Sequence, residues 1–351
     1  MDPEPQNVLD YHGNNTIFIV WNFKDNAAVK DAFRRICALV INLNNSADIR
    51  FPDSGVSCVM GIGYDAWHRL DLPVPIPKEL TNFVPIVGEK HTAVSSKGDL
   101  HFHLRGDNIG ICYDMASAIA DILEPVAISV EEVHGFRYRD GRSILGFVDG
   151  TENPQGEERV SFGLVGDDDP SYKGGSYLFV QKYIHDLHAF KALTVEEQEK
   201  IFGRSKQDDI EMPDSVKPSN SHIALANIGD DFKIIRDNMP FGDMSTNEMG
   251  TYFIAYASTF STVKKMLDNM FIGSPEGNYD KLLDFSVPKT GTLFFVPSAT
   301  FLDNIASGLP PLQVGNSNAA ESEPNDSSGL EASSVDGSLH IGSLKKETGY
   351  E

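Results

Sequence analysis

Three polar residues stand out because apolar segments carry them. Asp149 ends the run Ile144-Leu145-Gly146-Phe147-Val148, and Gly150 and Asn153-Pro154 follow it as a turn. His222 leaves the turn Pro218-Ser219-Asn220 and enters a segment holding Ile223, Leu225 and Ile228. Arg236 follows Ile234 and Ile235 and precedes Pro240-Phe241-Gly242. A carboxylate delivered this way is either a turn residue or a proton handler. An arginine among isoleucines needs an anionic partner, and Asp149, a bound anion or a reaction intermediate would serve. A histidine entering an apolar segment is either a core residue with one satisfied nitrogen or a single axial ligand to a haem iron.

The remaining histidines are less specific. His101 and His103 share one face of a strand pattern, and His185 and His188 lie three apart. Neither pair has a third metal ligand nearby, so both read as partly exposed polar residues rather than a metal site. Cys37, Cys58 and Cys112 each sit in apolar surroundings with no CxxC spacing, which predicts reduced core thiols.

Elements of two kinds must position these residues. Residues 15–23 are β-branched and aromatic, a buried strand, and 26–43 carry apolar residues at helical spacing. A strand and turn at 57–67, a strand at 100–107, a helix at 108–123 and a strand and turn at 126–143 follow. The run before Asp149 is expected to be a strand that aims its carboxylate. The grammar then repeats: a strand at 176–187, a helix at 194–203 with a Thr194/Glu197 capping box, a strand at 250–258, a helix at 259–273 closed by Gly273, and a strand at 291–298. This predicts an α+β protein of two halves, 1–145 and 146–313, with 100–123 and 250–273 as counterparts.

From 314 to 335 the chain is Ser, Asn, Glu, Asp and Gly without an aromatic residue, a composition expected to form a disordered acidic linker. Apolar Leu339, Ile341 and Leu344 return within 336–351, backed by two lysines, a pattern suited to docking in a groove on another protein. The chain carries 51 acidic against 29 basic residues, net charge -22. That disfavours nucleic-acid and anionic-membrane partners. With no signal-like N-terminus and no apolar run of membrane length, a cytoplasmic protein is expected.

Taken together, GFVDGTENP at 146–154, SNSHIALAN at 219–227, RDNMPFG at 236–242 and GTLFFVPS at 291–298 resemble the dye-decolourising peroxidases. The resemblance runs in order from about residue 15 to residue 305. It implies two ferredoxin-like halves in the dimeric α+β barrel arrangement shared with chlorite dismutases, a haem b in each subunit held mainly by the C-terminal half, and a homo-oligomer. By motif, Asp149 and Arg236 match the distal carboxylate and arginine, Asn238 their polar neighbour, and His222 the proximal ligand. Asp284 resembles the acid that accepts the second imidazole N–H, and Arg204 the contact to a haem propionate.

The implied reaction is reduction of hydrogen peroxide through a ferryl intermediate, with dyes, phenols or similar donors supplying electrons singly. Asp149 would shuttle the proton and Arg236 would stabilise charge on the leaving oxygen. Aspartate ordinarily titrates near about 4, so the expected optimum is acidic. The alternatives are a haem-handling or iron-releasing protein without turnover, which needs neither Asp149 nor Arg236, and a haem-free module on the same fold. Residues 336–346, DGSLHIGSLKK, resemble the peptides that load such peroxidases into encapsulin shells, with His340 where the usual form has glycine. The resemblance implies a cargo protein inside an encapsulin nanocompartment, bound to the shell through 336–351.

Overall fold

The computed structural model describes residues 2–11, 13–25 and 27–309. The linker and peptide expected beyond 313 lie outside the described residues.

The first half runs β1 (Asn15–Phe23), α1 (Val29–Arg50), β2 (Ser57–Gly63), α2 (Tyr64–Arg69), a short hairpin of β3 (Ile86–Val87) and β4 (Thr92–Ala93), β5 (Leu100–Gly106), α3 (Ile109–Leu123) and β6 (Ala127–Phe136). The sheet order is β6-β1-β5-β2, all antiparallel. Its four strands therefore stand fourth-first-third-second, the ferredoxin-like arrangement. The second half runs α4 (Glu157–Gly163), β7 (Ser176–His185), α5 (Leu187–Ala192), α6 (Val195–Phe202), α7 (His222–Ala226), β8 (Ile235–Arg236), β9 (Met239–Asp243), β10 (Glu248–Ala257), α8 (Phe260–Phe271), β11 (Ser286–Pro288), β12 (Thr292–Val296) and α9 (Ala299–Ala306). Its order is β12-β7-β10-β8, with β9 also on β10 and β11 on β7. With β8 and β9 as one interrupted strand, this is the same order again. The expected α+β class is thus observed, and α3 after β5 and α8 after β10 occupy matching places.

The halves join where β2 pairs with β12, Gly63 opposite Phe294. Strands β1, β2, β5, β7 and β12 are buried on both faces along most of their length, while edge strand β6 is largely exposed. Along β1, Ile17, Ile19, Trp21 and Phe23 pack under the helices, while Phe18 and Val20 face a second core. That inner core draws on Val59, Val133, Leu178, Ile235, Met239, Tyr252, Tyr256 and Phe294. Its members come from strands at both ends of the sheet order, so the sheet curls around them. At the seam a Cβ on Gly135 would stand 2.6 Å from Met239 Cβ, so glycine lets β6 lie against β9. No ladder hydrogen bonds join β6 to β9 among the described residues.

Two expectations need correction. Helix α1 continues to Arg50, past the expected end at 43, because Ala47 extends its buried face. Residues 144–148 are not a strand. They form a tight turn in which Ser143 N–H donates to Phe147 O at 2.8 Å and Arg142 bridges to Val148. Gly146, at φ +96°, makes the reversal that a strand would not allow.

Candidate active site

The turn carrying Asp149 is locked from three sides. Arg142 donates to Gly146 O at 3.1 Å. Phe147 stacks on Phe202 with centroids 3.8 Å apart. Gly150 takes φ +83°, and Asn153 N–H then donates to Gly150 O at 3.1 Å. Asn153 is the clip to the rest of the site. Its Nδ2 donates to Arg236 O at 2.7 Å, and its Oδ1 accepts from Arg236 N at 2.8 Å. Two hydrogen bonds to one residue fix the Asp149 turn against β8.

Asp149, Arg236 and Asn238 consequently share a wall. Asn238 Nδ2 donates to both Asp149 oxygens, at 3.2 and 3.4 Å, while its Oδ1 accepts from Ile254 N at 3.1 Å. The amide is therefore oriented by the backbone of β10 and in turn orients the carboxylate. Among the described residues, no carboxylate lies within ion-pairing distance of the Arg236 guanidinium. Of the anionic partners open to Arg236, Asp149 is therefore not paired with it. The cation remains available to an anion entering the site.

Ser221 N–H donates to Pro218 O at 3.0 Å, closing the turn from which α7 begins. His222 is the first residue of α7. Its Nδ1 donates to Asp280 Oδ2 at 2.7 Å. An ionised carboxylate only accepts, so Nδ1 carries a proton, and in the neutral ring Nε2 keeps its lone pair. Asp280 is fully buried and is held by Leu282 N–H on its other oxygen at 2.9 Å and by its own N–H on Met270 O at 2.8 Å. Phe202 touches the His222 ring edge-on at 5.9 Å, so one aromatic cluster supports both the Asp149 turn and the histidine.

The assignment of the imidazole's acid to Asp284 is overturned. Asp284 lies one turn further on and receives Lys90 at 2.5 Å, Lys281 at 2.6 Å and His91 at 2.9 Å. Desolvation pushes its carboxyl up, but the hydrogen bonds from Lys281, Lys90 and His91 outweigh it and hold the group well below the usual carboxylate range. It is a surface clasp, and Asp280 takes the place expected for it. Arg204 does reach the cavity, yet its guanidinium is already paired with Asp209 at 2.8 Å and Glu152 at 3.1 Å.

These residues surround an open-sided cavity of about 1440 Å³, its mouth included. Asp149, Arg236, Asn238, His222 and Arg204 all line it, beside Ile223, Ile228, Phe253, Met266, Leu267 and Met270. Its lining is mainly apolar, with the cations Arg204, Lys233 and Arg236 at its edge, and suits an apolar group with acidic edges. His185 also lines the cavity; of the pair expected to be partly exposed polar residues, His188 is exposed and His185 is buried. Its ring bonds Ser286 Oγ at 2.8 Å and Thr251 Oγ1 at 2.9 Å, and burial lowers its pKa to about 4. His101 and His103, expected to be partly exposed, are fully buried in the inner core. Among the described residues no group of three metal-binding side chains converges.

Fold and site together define an α+β duplication whose second half carries an imidazole, His222, held by a buried carboxylate on the wall of a mainly apolar cavity. The comparisons place it: the N-terminal Dyp-type peroxidase model matches residues 5–137 and the C-terminal model residues 140–301, and the chain belongs to the Dyp-type peroxidase family. It is 44% identical over 346 residues to the dye-decolorizing peroxidase of Rhodococcus erythropolis, covering 97% of each chain. A crystal structure of a dye-decolorizing peroxidase from Bacteroides thetaiotaomicron matches at TM-score 0.84 and 53% identity, covering 87% of this chain and 99% of that one. The encapsulated DyP-type peroxidase from Mycobacterium smegmatis matches at TM-score 0.81 and 44% identity, covering 88% and 100%. A DypB variant from Rhodococcus jostii, solved in complex with haem, matches at 0.79 and 41%, covering 88% and 99%.

Proposed function

We propose that the protein is a haem-dependent peroxidase with His222 as the proximal ligand and Asp149, Arg236 and Asn238 as the distal set. The observation that carries this is the pairing of His222 Nδ1 with buried Asp280 at 2.7 Å, on a cavity whose wall also holds an uncommitted Arg236. The residues fit a haem b. His222 Nε2 offers the iron ligand, Asp280 fixes its tautomer and raises its basicity, and the aliphatic residues of α7 and α8 receive the macrocycle. Arg204 would have to share its guanidinium between a propionate and the carboxylates that it already holds.

A haem iron in this position supplies the atom that binds peroxide and takes up its oxidising equivalents. The chain's own residues do the rest. The Asp149 carboxylate takes the proton from one peroxide oxygen and returns it to the other, which leaves as water. Asn238 Nδ2 holds that carboxylate in place. Arg236 stabilises negative charge on the departing oxygen, at a position where apolar walls keep the interaction strong. Small one-electron donors such as phenols or dyes complete the turnover.

An absorbance spectrum before and after one equivalent of peroxide tests the assignment. A Soret band that shifts on mixing and returns when a phenol is added is the expected result. A Soret band that does not respond supports a haem-handling protein without turnover, and no band at all removes the cofactor. We also propose packaging in an encapsulin shell through residues 336–351, supported by the motif DGSLHIGSLKK and by the encapsulated Mycobacterium smegmatis relative. Co-expression with a shell protein should load the full chain and exclude a chain ending at 335, with equal haem content in both. Equal loading of both would refute the assignment.

A further inference from the structure

Among the described residues, none before Ser143 lines the large cavity. The N-terminal half nevertheless reaches the distal wall, through Asp237, which stands between Arg236 and Asn238. Side chains alternate along this segment: Ile235, Asp237 and Met239 are buried, at 1%, 1% and 4% exposure, on the side of the inner core, while Arg236 and Asn238 line the cavity. A slip of one residue would exchange the two faces and remove both distal groups from the site.

The strand ladder is incomplete across this segment. Residues 235–236 pair with Tyr256 and Ala255, and pairing resumes at Met239 opposite Tyr252. Between them the ladder is broken. Asp237 N–H makes a long bond of 3.3 Å to Ile254 O, and the side chain of Asn238, not its carbonyl, accepts from Ile254 N. The gap falls on the residues that need the most exact placement. From the other side, Arg105 Nη1 donates to Asp237 Oδ2 at 2.6 Å, both side chains being almost wholly buried. Arg105 is itself fixed. It lies on β5, in the middle of the N-terminal sheet, with Nε on Ser57 Oγ at 2.8 Å and Nη2 on Asn7 O. His103, two residues earlier on the same face, places Nε2 3.5 Å from Asp237 Oδ2 and bonds Tyr256 at 2.9 Å through Nδ1.

We propose that Asp237 and Arg105 are positioning residues for the distal pair, with the buried ion pair between the halves setting which side chains the segment 235–239 presents to the cavity. Buried pairs add little net stability over apolar substitutes, but a planar guanidinium fork imposes direction, and register is the use best attested for such pairs. The inference rests on the peroxidase reading above, because it assigns Arg236 and Asn238 to the anion's side of the haem.

Fluoride binding to the ferric, haem-loaded full-length protein, followed by its visible spectrum, tests it without turnover. Arg236→Ala should weaken fluoride by roughly tenfold or more. Asp237→Asn, which keeps shape but not charge, should weaken it comparably at unchanged haem stoichiometry, and the double variant should be no worse than the weaker-binding single. Wild-type fluoride affinity in Asp237→Asn, or a double loss equal to the product of the two single losses, overturns the proposal. If Arg236→Ala alone leaves fluoride unchanged, the distal assignment fails and the proposal falls with it, a result distinct from failure at Asp237 only. Should Asp237→Asn not fold, Arg105→Met with Asp237→Leu removes both charges of the pair together. That variant should fold, bind haem and bind fluoride weakly, and tight fluoride binding in it refutes the role.

Discussion

The two halves share a strand order, but among the described residues the candidate site residues gather in one of them. The difference lies in the connection between the first strand and the second. In the N-terminal half, 24–56 is spanned chiefly by the single helix α1, whose Phe33, Ile36, Cys37 and Val40 seal the sheet at 0–2% exposure. In the C-terminal half, 186–234 is spanned by three short helices, α5 to α7, separated by turns. They do not close down on β7 and β10. Tyr183, His185, Thr251 and Phe253 therefore face a space that α7 and α8 wall from the far side. One copy of the fold has its sheet covered by a single long helix, and the other leaves a space where the candidate site residues gather.

Substitutions should separate these roles. The largest effect is expected at His222→Ala, which should abolish stable haem incorporation, read as loss of the Soret band, and should also lower the apo-protein's melting temperature, because buried Asp280 loses its partner. A variant that keeps wild-type haem content would move the ligand elsewhere. The counterpart in the N-terminal half is Phe102→Ala. Phe102 is fully buried in the main core, and its removal should cost about 3–5 kcal/mol of stability by denaturant titration. Because the halves share one sheet, haem retention should be lost in the same transition as the fold. Haem release well before unfolding would show the halves to be energetically separate.

Sequence reading was most informative where a segment must bury both faces. The runs at 15–23, 176–187 and 250–258 announce strands, and the helix expected at 194–203 carries the capping box that the structure shows, with Gly203 left-handed at its end. It was least informative where partners meet only in space. NYDKLLD at 278–284 presents two aspartates four apart, and no feature of the string alone chooses the histidine's partner. The distinguishing signal was the cap. Asp280 precedes Leu282-Leu283 and accepts from Leu282 N–H, so it turns inward with the apolar pair, whereas Asp284 follows them and meets lysines. The apolar run before Asp149 misled for a related reason. Its composition fits a strand, but the glycine at 146 and the packing of Phe147 on Phe202 make it a turn.

That choice between aspartates can be tested directly. Asp280→Asn should lower haem affinity or peroxidase activity by roughly 10–100-fold, the usual cost of losing the partner of a metal-bound imidazole. Asp284→Asn should leave both within about twofold, since its partners are Lys90, Lys281 and His91. Reversed outcomes would restore Asp284 to the role that its place in the sequence suggested.

The smallest effect concerns acid, and it distinguishes how each half tolerates a buried histidine. Burial holds His185 of the cavity wall down to about 4 and His101 of the inner core down to about 3. Both are neutral in the folded chain, and both take up a proton near 6.5 once unfolded. Between those values the unfolded state binds more protons, so stability is full above pH 6.5 and falls as the pH drops towards 3 to 4. By pH 5 each costs about 2 kcal/mol. His185 has hydroxyl partners on both ring nitrogens, while among the described residues neither nitrogen of His101 has a partner. His101→Phe should therefore stabilise the apo-protein at every pH and flatten its stability profile between pH 5 and 7. His185→Phe should flatten the same profile but lower stability at pH 7, because Ser286 and Thr251 lose their acceptor or donor. Melting curves of the two variants at pH 5 and pH 7 decide the matter. If His101→Phe melts lower than the wild type at both, the inner core depends on that imidazole and is not merely accommodating it.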